Sequence, residues 1–193
     1  SKLIFWAPTF RKAKYWEQCD SDISKLIPLF DIKELDELNA ELENRNVKMM
    51  IKLHPMEDCP SNLFIKKTNL EVYSHSMFVK SGYELYSILA VSDALITDYS
   101  SVYFDYLLLD RPIGFVIEDF NSYENKRGFI FQNPLDYMPG ENIRSKDSFF
   151  HFLYQISTGI DKYSDERKKI NDFANYYKDG KNCKRVLELS RIK

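Results

Sequence analysis

The chain has 193 residues, the length of one domain. Its 27 Lys+Arg against 29 Asp+Glu leave a net charge of −2, without the basic excess of a general nucleic-acid binder. Hydrophobic residues at 44% and charged residues at 29% exclude a disordered chain, and no apolar run approaches the roughly 20 residues that cross a bilayer.

In chain order, the apolar run 2–7 stops at Pro8 and predicts a buried strand. This opening carries neither an initiator Met nor a signal-peptide pattern, and reads as part of a longer protein. Ile32, Leu35, Leu38 and Leu42 recur at steps of three, three and four, which predicts an amphipathic helix over 31–44. A second strand spans 47–53 and ends at His54-Pro55, and a short third lies at 70–73. A helix over 83–91 precedes a strand at 94–97. A helix over 101–109 stops at Asp110-Arg111-Pro112, and another strand follows at 113–117. The stretch from Glu118 to Gly128 reads as a polar loop. From Ser145 the pattern is helical, over 146–156, 164–177 and about 182–192. Cys19, Cys59 and Cys183 are odd in number and form no CxxC pair, so reduced cytosolic thiols are expected, with no metal site.

Strands alternating with helices predict an α/β fold, a Rossmann-like parallel sheet with helices on both faces. Ligands of such sheets sit beyond the carboxyl ends of the strands, near a topological switch point. The segments there are 8–11, His54-Pro55, 98–101 and Glu118-Asp119.

Each carries candidate chemistry. Ser100 and Ser101 follow a strand and open a helix, where hydroxyls and unpaired N–H groups suit a phosphate; simple N-capping is the plainer alternative. No glycine-rich phosphate loop accompanies them. Pro55 biases His54 toward extended backbone, and the imidazole there can donate to a phosphate, act as a general acid or base, or merely end a strand. Arg11 and Arg127, the latter before Gly128, are candidate phosphate clamps or solvated surface residues. Asp98, Asp105, Glu118 and Asp119 are acceptors for ribose hydroxyls. The turn around Gly82 and Tyr83 is the candidate contact for the base. His75 and His151 read as structural, because neither sits at a predicted strand end. Ser100, His54 and Asp98 have the composition of a hydrolase triad but lack a GxSxG elbow. Arg167-Lys168-Lys169 with Lys178, Lys181, Lys184 and Arg185 form either a solvated helix face or an anionic-surface contact.

Taken together, Ala7-Pro8-Thr9-Phe10-Arg11, Lys52-Leu53-His54-Pro55, the run Ser92-Asp93-Ala94-Leu95-Ile96-Thr97-Asp98-Tyr99-Ser100-Ser101-Val102-Tyr103-Phe104-Asp105, Arg111-Pro112, and Asp119 with Tyr123 and Arg127-Gly128 resemble the CDP-glycerol glycerophosphotransferase family. These are the teichoic-acid primases and polymerases and related capsule enzymes. The resemblance runs from about residue 3 to about 143; the run 92–105 is its most specific part, and the helical segment from about 145 matches only in type. It implies that residues 1–193 form a single donor-nucleotide-binding domain, with 145–193 its helical C-terminal part. That domain would be the second of two in a GT-B transferase. The implied donor is CDP-glycerol or CDP-ribitol, with no cofactor and no metal. Polyol phosphate would pass to a lipid-linked acceptor held through a preceding domain, and CMP would leave. His54 would take part in catalysis, Ser100 and Ser101 would meet the donor phosphates, and Arg11 and Arg127 fall on family arginines. The implied location is the cytoplasmic face of the bacterial membrane, with peripheral association of the full-length protein and no nucleic-acid partner. A GT-B glycosyltransferase using a CMP- or UDP-sugar and a non-catalytic nucleotide-binding module are the competing readings. The domain alone is expected to bind nucleotide and to turn over poorly or not at all.

Overall fold

Five apolar runs of the sequence become the parallel centre of one sheet. The computed structural model describes residues 1–10, 25–57 and 59–190; Arg11 lies outside the described residues. The elements are β1 Lys2–Trp6, α1 Leu35–Asn44, β2 Val47–Lys52, β3 Phe64–Lys66, β4 Leu70–Tyr73, α2 His75–Lys80, α3 Leu85–Val91, β5 Ala94–Thr97, α4 Val102–Tyr106, β6 Ile113–Val116, α5 Phe120–Lys126, β7 Glu141–Ile143, α6 Lys146–Thr158, α7 Ser164–Ala174 and α8 Asn182–Ser190. The strand order is β3-β4-β2-β1-β5-β6-β7. All pairings are parallel except β3 with β4, where Phe64 faces Tyr73 at the sheet edge. The six parallel strands thus run outward in both directions from β1 and β5. This is the doubly wound Rossmann arrangement, with its switch point between those two strands.

The period-two alternation of each strand feeds a separate apolar layer on each face. Ile4, Trp6, Met49, Ile51 and Ile96 pack with Leu35, Leu38 and Leu42 of α1 and with Phe149, Phe152 and Leu153 of α6. Phe5, Met50, Leu95, Ile113 and Phe115 pack on the other face with Phe78, Leu89, Tyr103 and Tyr106, from α2, α3 and α4. Burial on both faces is why these strands read as continuous apolar runs. No helix among the described residues is long and apolar enough to cross a membrane.

Six elements depart from the sequence reading. β3 and β7 are three-residue strands. They exist because a neighbouring strand supplies their hydrogen bonds, Val116 pairing with Ile143 for β7. α2 lies in a stretch for which no element was expected, and α5 in one expected to be a polar loop. The predicted helix over 101–109 is a five-residue α-helix followed by one 3-10 turn, closed by Asp110 in the left-handed region at φ 47°. The helix predicted to reach residue 177 ends at Ala174.

The amino-terminal end of the sheet is closed by side-chain bonds. Tyr106 donates to the Ser92 carbonyl at 3.0 Å, and Arg111 donates to the carbonyls of Ser92 and Ala90 at 2.5 and 2.9 Å. Arg167 is 1% exposed and so cannot belong to a basic surface face. Its guanidinium donates from Nε to Asp110 at 3.1 Å and holds Asp161 at 2.9 and 2.5 Å, fixing α7 against the 3-10 turn that Asp110 closes. Removing one member of a fully buried pair costs about 3–5 kcal/mol. Asp110 and Asp161 reach solvent and can rehydrate, so Arg167→Met should cost less, on the order of 2 kcal/mol. A drop in the urea midpoint, with α7 exchanging amide hydrogens faster than the sheet, is the expected outcome.

Candidate functional site at the switch point

The carboxyl ends of β1 and β5 are tied together by Asp98. This residue is 1% exposed and follows the last residue of β5. Its carboxylate accepts from the Thr9 N–H at 2.9 and 3.2 Å and from the Thr9 hydroxyl at 3.0 Å. Below it, the Thr97 hydroxyl donates to the Ala7 carbonyl at 2.8 Å and the Ala7 N–H to the Ile96 carbonyl at 2.9 Å. Asp98 therefore shapes the strand-exit loops from beneath, and the ribose contact expected of it is replaced by this cross-tie.

Two clefts open beside the 99–101 turn. The first, of about 570 Å³, is lined by Lys52, His54, His75, Tyr83, Glu84 and Ser100, with Pro8 and Phe78. His54 leaves β2 extended. Its Nδ1 accepts from the Met56 N–H at 3.1 Å, and its ring lies 5.0 Å from that of Phe10. Burial, and next the Lys52 charge, hold its pKa below the ordinary histidine value, against the pull of Asp98. The ring is thus neutral near pH 7, and the bond at Nδ1 leaves the proton on Nε2. A triad would need Nδ1 to donate to a carboxylate. Here it accepts, and Asp98 is engaged by Thr9, so the hydrolase reading is overturned.

His75 was expected to be structural. The structure places it at the first position of α2, just past the carboxyl end of β4 and in the same cleft as His54. The sequence held the signal, since Ser74 follows the 70–73 strand directly. The Ser74 side chain accepts from the Met77 N–H at 3.3 Å and caps the helix. Lys52 was also unassigned, although it ends β2. Gly82 stops α2. At φ 77° its N–H reaches the Val79 carbonyl at 3.0 Å, the Tyr83 N–H reaches Phe78 at 3.3 Å, and the rings of Tyr83 and Phe78 lie 5.5 Å apart. This is a Schellman closure with its apolar contact. Gly82 acts through backbone conformation, and Tyr83 forms the cleft wall.

The second cleft, of about 510 Å³, is lined by Ser101, Arg127, Gly128, Tyr99, Tyr123, Phe129 and Phe104. The Tyr99 ring lies 4.0 Å from that of Tyr123, tilted against it, and the Tyr99 hydroxyl donates to Asp119 at 3.0 Å. Asp119 is buried, so it anchors this aromatic wall. Glu118 accepts from the Leu29 N–H at 2.8 Å and holds the segment before α1. Asp105 is exposed on α4, accepts from Tyr86 at 3.0 Å and lines neither cleft, so the ribose role expected of it has no support in the geometry. Ser101 has helical backbone and makes no capping bond, while the Ser100 hydroxyl accepts from the Val102 N–H at 3.4 Å. Of the expected site residues, His54, Tyr83 and Ser100 meet in one cleft, and Ser101 and Arg127 in the other. Asp98 and Asp119 lie beneath them. Among the described residues no three His, Cys, Asp or Glu side chains are grouped to hold a metal ion.

Residues 1–190 match the model of the CDP-Glycerol:Poly(glycerophosphate) glycerophosphotransferase family. The chain belongs to this family. It is 30% identical over 191 residues to the teichoic acid ribitol-phosphate primase of Bacillus spizizenii, covering 97% of this chain and 43% of that protein. It is likewise 30% identical over 189 residues to the teichoic acid glycerol-phosphate primase of Bacillus subtilis, covering 96% and 42%. The wall teichoic acid polymerase TagF, in a histidine-to-asparagine variant soaked with CDPG, superposes at a TM-score of 0.67 with 27% identity, covering 97% of this chain and 42% of that one. The chain therefore spans less than half the length of these relatives.

The site carries two stability signatures. His54 and His75 are both held below the ordinary histidine pKa, each chiefly by burial. The unfolded chain consequently takes up these protons at higher pH than the folded chain. Stability should be complete above about pH 6.5 and fall as the pH drops toward the folded-state values. A His54→Gln/His75→Gln variant should flatten that dependence in melting curves recorded from pH 7.5 to 5. Gly82→Ala meets nothing within 4 Å of the added carbon, so its cost is conformational alone, about 1 kcal/mol by denaturant titration.

Proposed function

We propose that this chain is the donor-binding part of a polyol-phosphate transferase. It holds CDP-glycerol or CDP-ribitol while polyol phosphate passes to a lipid-linked acceptor and CMP leaves. The observation that carries this reading is the pair of consecutive serines at the switch point, one in the cleft of His54 and the other in the cleft of Arg127. A diphosphate at the turn meets hydroxyls, an Nε2–H donor and a guanidinium within one short stretch of surface. The CDPG soaked into the TagF variant supports the donor class.

In the transfer, an acceptor oxygen forms a bond to the phosphorus that bears the polyol. The bridging P–O bond breaks, and its electron pair leaves on CMP. Such a step depends mainly on donors fixed where negative charge develops. His54, with Nδ1 occupied and Nε2–H available, acts as a donor to the departing phosphate rather than as a base. The proton of the acceptor hydroxyl goes to a base on the acceptor side, in a preceding domain. In the whole protein this chemistry sits at the cytoplasmic face of the membrane, with peripheral association.

Calorimetric titration with CDP-glycerol, CMP and UDP-glucose tests the reading. CDP-glycerol should bind most tightly. A hydrogen bond to a charged group contributes about 1.5–3 kcal/mol, so Ser100→Ala/Ser101→Ala should weaken binding by at least tenfold. A preference for UDP-glucose would move the protein to glycosyl transfer. CDP-glycerol affinity unchanged in the serine variant would remove the serines from the site.

A further inference from the structure

Lys52 occupies a position where the sheet calls for an apolar side chain. It is the last residue of β2, opposite Tyr73 of β4, and shares a strand face with Met50. Met50, Tyr73 and Phe78 on that face belong to the apolar layer. The Lys52 ammonium lies 5.7 Å from the centre of the Phe78 ring, and its hydrogen-bond partner is the Leu53 carbonyl at 3.4 Å. The side chain lines the first cleft together with His54, His75 and Ser100.

The acids around it are spoken for or stand apart. Asp98 is held by Thr9. Glu71 is bound by Lys66 at 3.3 Å and by the Tyr73 hydroxyl at 2.7 Å. Glu84 is exposed at the cleft wall. Among the described residues no carboxylate lies within 4.0 Å of the Lys52 ammonium, whereas Lys2, Lys66, Lys67 and Lys146 each pair with one. Half-buried ammonium without a counter-ion is unfavourable for the folded chain, and burial does lower the Lys52 pKa. The two histidines nearby are neutral near pH 7 and contribute donors without charge.

We infer that Lys52 is a phosphate-binding residue of the first cleft and supplies its positive charge to the diphosphate of the bound donor. The inference rests on the donor-binding reading for the identity of the ligand, and on the cleft alone for the anion. An ammonium there acts as a point charge with three donors. It complements the Nε2–H of His54 and the Ser100 hydroxyl on the neighbouring strand exits.

Lys52→Met retains the length and the contact with Phe78 and removes the charge; Lys52→Gln retains a polar tip without charge. Each variant is titrated with CDP-glycerol and, separately, with inorganic pyrophosphate, and melted without ligand. The expected result is binding of both ligands weakened about tenfold to a hundredfold, with the ligand-free melting temperature of Lys52→Met unchanged or raised. A binding residue that is costly to the empty fold shows this opposition, and a purely structural lysine does not. Unchanged affinity for both ligands would overturn the inference while leaving the donor reading intact. Pyrophosphate binding that depends on Lys52, in a chain that ignores CDP-glycerol, would uphold Lys52 and overturn the donor reading. A melting temperature lowered by several degrees in both variants would make Lys52 structural, and a native chain that binds neither ligand would overturn both statements.

Discussion

The site depends on a buried carboxylate. Asp98 stands at the point where the sheet reverses its winding, and Thr9 meets it with both a backbone N–H and a hydroxyl. Burying a carboxylate is costly unless donors surround it, so the Asp98 side chain and the loop after β1 are coupled. Each holds the other in place. The loop after β1 brings Pro8 and Phe10 toward His54, while the loop after β5 brings Ser100 and Ser101 to the two clefts. The bonds from Thr97 to Ala7 and from Ala7 to Ile96 join the two strands at their ends, and the Asp98 tie extends that connection into the loops that follow.

The two ends of the sheet use polar groups differently. At the amino-terminal end Arg167, Arg111 and Tyr106 are satisfied by carboxylates and carbonyls of the protein. At the carboxyl end Lys52 and His54 line the first cleft. Cations satisfied internally hold the scaffold, and cations left facing a cleft are available to a ligand. The family match covers both ends, since it spans residues 1–190.

The parallel strands were legible because burial on both faces makes them apolar throughout. Their carboxyl ends were legible as a site because parallel topology places all such ends together, whatever their separation in sequence. This brought His54, Ser100 and Ser101 into view. The short edge strands were not legible. Glu141-Asn142-Ile143 has little intrinsic strand preference and is a strand through β6. α5 was hidden because its outward residues, Asn121, Glu124, Asn125 and Lys126, give it the composition of a loop. The acidic candidates failed for a different reason. Residue type marks Asp98, Asp105 and Asp119 alike as acceptors, but only tertiary structure shows that Asp98 and Asp119 serve Thr9 and Tyr99 from below and that Asp105 lies on another surface.

The turn at Ser100 and Ser101 also constrains the shape of what can lie on it. Ser100 lines one cleft and Ser101 the other, so the main chain between them divides the two. A compact anion can rest on one slope. Touching both requires a ligand long and bent enough to drape over the ridge, with its middle against the backbone and its ends lowered on either side. Length and curvature thereby become selection criteria, separate from any individual hydrogen bond.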